Sequence, residues 1–132
     1  RATREWVRKA EADFRGAERL ASSQDRLHDL VAFHCQQCAE KYLKALLEES
    51  GIGIPKTHAL DNLLNLLLPI YPDLSSQHRA LLYLTDFAVD PRYPGTGITK
   101  REATSALLWS ERVRQACRQG LKLRTLPRKR KK

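Results

Sequence analysis

The stretch from Phe33 to Gly51, FHCQQCAEKYLKALLEESG, sets a histidine and two cysteines within five residues and then meets no glycine or proline before Gly51. Two readings compete: a metal or redox site, or one turn of a long helix. On a helix, Cys35 and Cys38 share a face with Val31, Tyr42 and Leu46, and His34 stands four positions before Cys38. Zinc takes four ligands; this cluster offers three, with none nearby in sequence to complete the tetrahedron. Redox Cys-x-x-Cys pairs sit at helix starts, where the dipole lowers the thiol pKa. This pair lies roughly ten residues past the capping signal Ser22-Ser23-Gln24-Asp25. Free cysteine more often packs as a small apolar group. The stretch therefore reads as the inner face of a helix over residues 25–49, stopped by Gly51. It calls for no metal and no cofactor.

Other helices follow on either side. Trp6, Val7, Ala10, Phe14, Ala17, Leu20 and Ala21 recur at three- and four-residue steps, which predicts a helix over residues 3–21. In the second helix Leu27, Leu30, Val31, Cys35, Cys38, Tyr42 and Leu46 form the stripe. After an extended loop ending at Pro55, Thr57 is placed to cap a third helix reaching residue 68, with Leu60, Leu63, Leu64 and Leu67 inward. Pro69 and Pro72 end it. A fourth helix should start near Ser75 or Ser76 and carry Leu81, Leu82, Leu84 and Phe87. Asp90 to Gly97 is dense in turn formers, and Thr99-Lys100-Arg101-Glu102 spells a capping box for a fifth helix. No strand pattern and no internal repeat is evident. The expected fold is all-α, an antiparallel up-and-down bundle of four to five helices over residues 1–121, followed by a basic tail, 122–132.

Length and composition agree. A chain of 132 residues is one domain, and 42% hydrophobic with 30% charged residues suits a globular protein in water. No apolar run is long enough to span a bilayer, no signal-peptide pattern is seen, and the chain opens at Arg1 without any methionine, as an excised domain would. Three cysteines in no disulfide framework point to a reducing cytoplasm. Of the net charge of +9, seven basic residues lie within 122–132, where there is no acid, leaving +2 for the body. That tail suits nonspecific phosphate contact, a solubilising extension or a localisation signal.

Catalytic signatures are sparse. No Gly-rich phosphate loop, His-Glu-x-x-His or nucleophile elbow occurs. Carboxylates stand among basic residues along solvated helix faces, as at Glu40-Lys41 and Lys44-Glu48, and Lys44 and Glu48 are spaced to pair. Pro55-Lys56-Thr57-His58 stands at a helix start, where main-chain amides with Lys56 and His58 would hold an anion, or where Thr57 merely caps. In the stiff loop, Arg92 and Tyr93 suit phosphate contact with base stacking, or an arginine pairing at the core edge.

These segments together resemble the HEPN domain family. Phe33-His34-Cys35-Gln36-Gln37-Cys38-Ala39-Glu40-Lys41-Tyr42-Leu43-Lys44-Ala45-Leu46-Leu47 is similar to its F-H-x-Q-Q-x-A-E-K-x-L-K-A-L-L helix, Pro55-Lys56-Thr57-His58-Ala59-Leu60 to its P-K-T-H-x-L, and Arg92-Tyr93-Pro94 to its R-Y-P. Trp6-Val7, Ala10 and Asp13 fit the opening. The resemblance runs over residues 4–120 and excludes the tail. It implies a helical bundle that forms homodimers, often beside a minimal nucleotidyltransferase in toxin–antitoxin or defence pairs. Some members bind nucleotides; others are metal-independent ribonucleases using an arginine and a histidine four to six residues apart. That last pattern is absent here. Arg26 and His34 come nearest, and eight positions on a helix separate groups by about 12 Å, so no catalytic residue is carried over.

The leading expectation is a cytoplasmic binding module for a nucleotide, RNA or nucleotidyltransferase partner, with Lys41, Lys44, Lys56, His58, Arg92 and Tyr93 as candidate contacts. A ribonuclease using His34 or His58 with an arginine from the dimer mate is the alternative. A purely structural dimerisation element is the third.

Overall fold

The computed structural model describes residues 2–87 and 97–124. Five α-helices occupy them: α1 (Ala2–Ala21), α2 (His28–Glu49), α3 (Leu60–Leu67), α4 (His78–Thr85) and α5 (Lys100–Gly120), with a 3-10 turn, Pro72–Gln77, before α4. No strand occurs among the described residues. The expected all-helical bundle is the observed one.

α2 is the spine. It touches each of the other four helices, and between Val31 and Leu47 twelve of its residues are buried, too many for a single stripe. α1 lays Ala10, Phe14 and Ala17 against it. α5 lays down Ala103, Ala106, Leu107, Val113 and Cys117, and α3 and α4 close one side with Leu60, Leu63, Leu64, Leu67, Leu81 and Leu84. Two leucines expected in the core face outwards: Leu30 is 41% exposed and Leu82 46%. Each lies beside a buried neighbour, Val31 or Leu81, that fills the inner position.

Three helix starts depart from the sequence expectation for one reason: short polar side chains close local turns instead of capping. Ser23 Oγ accepts from the Asp25 amide, so α2 begins only at His28, with Leu27 at its N-cap and no side-chain cap. Thr57 Oγ1 likewise accepts from Ala59 N, two residues on. The first α3 amide, that of Leu60, is instead taken by Thr85 Oγ1 across the fold. Ser76 Oγ donates to the Asp73 carbonyl inside the 3-10 turn, which displaces the α4 start to His78. The capping box forms as read: Glu102 N donates to Thr99 Oγ1 at 3.1 Å and Thr99 N to Glu102 Oε1 at 2.9 Å.

The two long helices that carry the core end alike. After α2, Gly51 is left-handed at φ 72°, its amide meets the Glu48 carbonyl, and Ile52 N reaches Leu47 O. After α5, Lys122 N meets Gln119 O and Leu123 N reaches Arg118 O, the same paired pattern. Here the left-handed position is held by Lys122 at φ 60°, a backbone region that opposes a Cβ. Lys122→Gly should therefore raise stability by about 0.5–1 kcal/mol, and Gly51→Ala lower it by about 1 kcal/mol. Urea denaturation midpoints of the two variants check the opposite signs.

Candidate functional site

The polar residues of the signature stretch are bonded to one another across three elements. On the α1 side, Asp13 is a shared acceptor: His34 Nδ1 lies 2.8 Å from Oδ1, and Lys41 Nζ lies 2.5 Å from Oδ2. On the other side Glu40, only 3% exposed, accepts from Lys44 Nζ at 2.7 Å, His58 Nδ1 at 2.9 Å and Gln36 Nε2 at 3.0 Å. Gln37 Nε2 in turn donates to Gln36 Oε1 at 2.7 Å. Burial alone would raise the Glu40 pKa, but the hydrogen bonds from Lys44, His58 and Gln36 outweigh it and hold the carboxyl below its ordinary range. Both imidazoles thus use Nδ1 on a carboxylate, which fixes the proton there and leaves Nε2 as the outer nitrogen. Lys44 Nζ also stands 5.5 Å from the centre of the Trp6 ring, a cation–π contact with α1.

Four of the six sequence candidates are thereby placed. Lys41, Lys44 and His58 border the two carboxylates, and Lys56 is exposed, with no ion pair among the described residues. Arg92 and Tyr93 lie outside the described residues. Two expectations are corrected. Lys44 turns back to Glu40 rather than on to Glu48, and Glu40 belongs to the interior rather than to a solvated face. Arg26, the nearest approach to a ribonuclease arginine, precedes α2 and is exposed, so it does not share a helix with His34.

The opening histidine–cysteine cluster divides. Cys35 and Cys38 are fully buried thiols in no disulfide, as is Cys117 on α5. Burial pushes the Cys38 and Cys117 thiols well above the usual range, which suppresses the thiolate that a nucleophile or metal ligand needs. His34 leaves the core for Asp13. Among the described residues no three histidine, cysteine or acidic side chains are grouped to hold a metal ion.

A second polar network escaped the sequence reading. Arg114, 4% exposed on α5, clasps Glu11 of α1 with Nε at 2.7 Å and Nη2 at 3.0 Å, and gives Nη1 to Glu111 at 2.8 Å. Tyr42 of α2 donates its hydroxyl to Glu11 Oε2 and accepts from Arg118 Nη1 at 3.0 Å. Burial would raise the Glu11 pKa, but the Arg114 and Tyr42 hydrogen bonds and the nearby guanidinium charges bring it below normal. Burial and Glu11 together push Tyr42 far up. One signal was present: Arg114 follows Ser110 by four and precedes Cys117 by three, so an arginine occupies a core-facing position of α5.

An all-helical bundle built on a central, ion-paired signature helix is the class that the fold and its polar networks define. The HEPN domain family matches residues 3–120, and the chain belongs to that family. Its fold is similar to the crystal structure of TT1696 from Thermus thermophilus, with a TM-score of 0.79 at 22% identity, covering 89% of this chain and 96% of that one. It is also similar to ST0689, an archaeal HEPN homologue, with a TM-score of 0.74 at 23% identity and coverage of 90% and 97%. At these identities the likeness is one of fold. None of the curated proteins matches the chain. No helix among the described residues is long and apolar enough to cross a membrane.

Two measurements probe the networks. Tyr42→Phe should cost about 1–3 kcal/mol, because it strips a hydroxyl from between a carboxylate and a guanidinium. The folded Glu11 and Glu40 carboxyls lie below the ordinary value of 4.5, so their stabilisation is complete above that pH and is lost as pH falls through the folded values. Glu11→Gln and Glu40→Gln should each lower the urea midpoint at neutral pH and flatten its decline on acidification, read as midpoint against pH.

Proposed function

We propose that this chain is a binding module, a homodimer that engages a nucleotide or a minimal nucleotidyltransferase partner and serves in a toxin–antitoxin or defence pair. One observation carries the reading: Lys41, Lys44 and His58, drawn from two motif segments, gather at the carboxylates of Asp13 and Glu40 on and beside α2. Lys41 and Lys44 lie about 60° apart around the helix axis. Asp13 and Glu40 are each shared by one lysine and one histidine, so each group is neutral with its imidazole uncharged and positive when it is protonated. Lys56 adds a charge with no ion pair among the described residues. Phosphate groups suit such a surface, and Lys44 with Trp6 adds an aromatic edge beside it. Arg92 and Tyr93 join the proposed contact set through the family motif.

Calorimetric titration with ATP and GTP should give saturable binding that weakens about tenfold in Lys56→Glu and Lys44→Glu, and a nucleotidyltransferase encoded beside this chain should co-purify with it. Loss of neither signal on substitution, or absence of both in the wild type, overturns the reading.

A metal-independent ribonuclease is the second reading, favoured by the outer Nε2 of His34 and of His58. A histidine oriented through Nδ1 by a carboxylate is arranged for general acid–base work, with the arginine supplied by the dimer mate. RNA cleavage in EDTA that disappears in His34→Ala or His58→Ala would establish it. Intact RNA at high protein concentration would reject it.

A further inference from the structure

At the end of the bundle remote from the α1–α2 turn, the start of α1, the end of α2 and the segment after α5 border a cavity of ≈ 500 Å³ that is open to solvent on one side, a volume suited to a small molecule. Its apolar wall is Val7, Leu121 and Leu123, and its charged lining includes Arg4, Arg8 and Arg118. Thr3 Oγ1 donates to Glu49 Oε1 at 2.9 Å across the gap between α1 and α2, which occupies one oxygen of the only acid in the lining among the described residues.

Arg118 is the informative group. It is 8% exposed, so its charge is largely withdrawn from water. Nη1 gives one hydrogen bond to Tyr42 Oη at 3.0 Å, and Nε donates to the Arg124 carbonyl at 2.7 Å. Glu11, 3.6 Å away, is already clasped through both oxygens by Arg114. Nη2 makes no hydrogen bond among the described residues, yet it is not among the buried polar atoms sealed from solvent. Arg118 lines the cavity, and this unbonded edge of its guanidinium is available to a ligand there. The opposite wall exists because the chain reverses at Lys122, in left-handed backbone, and brings Leu123 back over Arg118. Arg4 is exposed with no ion pair among the described residues, while Arg8 pairs with Glu5 at 2.8 Å.

We propose that this cavity binds an amphipathic anion, a carboxylate or phosphate head on a short aliphatic body. The head meets Arg118 Nη2 and Arg4, and the body lies along Val7, Leu121 and Leu123. A buried guanidinium with an open edge selects the anion, and the three aliphatic side chains select the tail. The lining shares no residue with Lys41, Lys44, Lys56 or His58, so the proposal does not rest on the nucleotide reading.

Octanoate titrated into the full-length chain, followed by ¹H–¹⁵N spectra, should shift the Arg118 Nε–H and Leu123 amide resonances saturably. Affinity should rise up to about fourfold per methylene from butanoate to octanoate. Octan-1-ol should bind at least tenfold more weakly, and comparison with octyl phosphate identifies the preferred head. Leu123→Asp should abolish the shifts, and Arg4→Gln should weaken binding severalfold, both with unchanged circular dichroism. The proposal is overturned if neither resonance moves saturably, if octanol matches octanoate, or if Leu123→Asp binds as the wild type does. Binding that appears only after removal of residues 125–132 also overturns it, because the chain's own tail would then be the occupant.

Discussion

The bidentate clasp of Arg114 on Glu11 is what lets three long helices share one interior. A guanidinium withdrawn from water costs far more than any single apolar contact returns, unless its donors are met by opposed charge in good geometry. Here Nε, Nη1 and Nη2 all find carboxylate oxygens, and the Tyr42 hydroxyl bridges the same carboxylate to Arg118. α1, α2 and α5 are therefore joined at one polar node inside an otherwise aliphatic core. Ser110 Oγ, which donates to the Cys35 carbonyl at 2.9 Å, adds a second buried tie between α2 and α5. Partly satisfied, such a node would be worse than leucine; fully satisfied, it fixes which faces meet.

The same logic explains the wording of the signature helix. α2 is surrounded, so its polar side chains need partners supplied from neighbouring elements. Lys41 has Asp13 of α1, and Glu40 has His58 from the loop before α3. The motif segments that lie apart in sequence are thus halves of the same ion pairs. Their residues hold the loop to the helix whether or not a ligand also meets their outer edges.

How much of this is legible in the sequence follows from how local each feature is. The helices, the capping box at Thr99 and the glycine stop at Gly51 are written within a few consecutive residues, and the family motifs are linear strings. The long-range pairs are not: Asp13 and Lys41 are 28 residues apart, Glu40 and His58 18, and no local pattern says which lysine takes which acid. Lys44 stands at helical spacing from both Glu48 and Glu40, and only the burial of Glu40 decides between them. The α5 end is hidden because a lysine sits where a glycine would have announced the turn. The serine and threonine starts are misplaced because the same hydroxyl chemistry closes a turn or caps a helix. Of the site candidates, Arg92 and Tyr93 fall outside the described residues, and the other four come from their motifs rather than from geometry.

Glu11 and Arg114 stand 103 positions apart along the chain. That separation makes the domain indivisible. An α1–α2 hairpin cut free of α5 would keep its helical periodicity but bare Cys35, Cys38 and a carboxylate built for an absent guanidinium. Any gene fusion or truncation that spares this polar node must keep both Glu11 and Arg114, and with them α1 and α5.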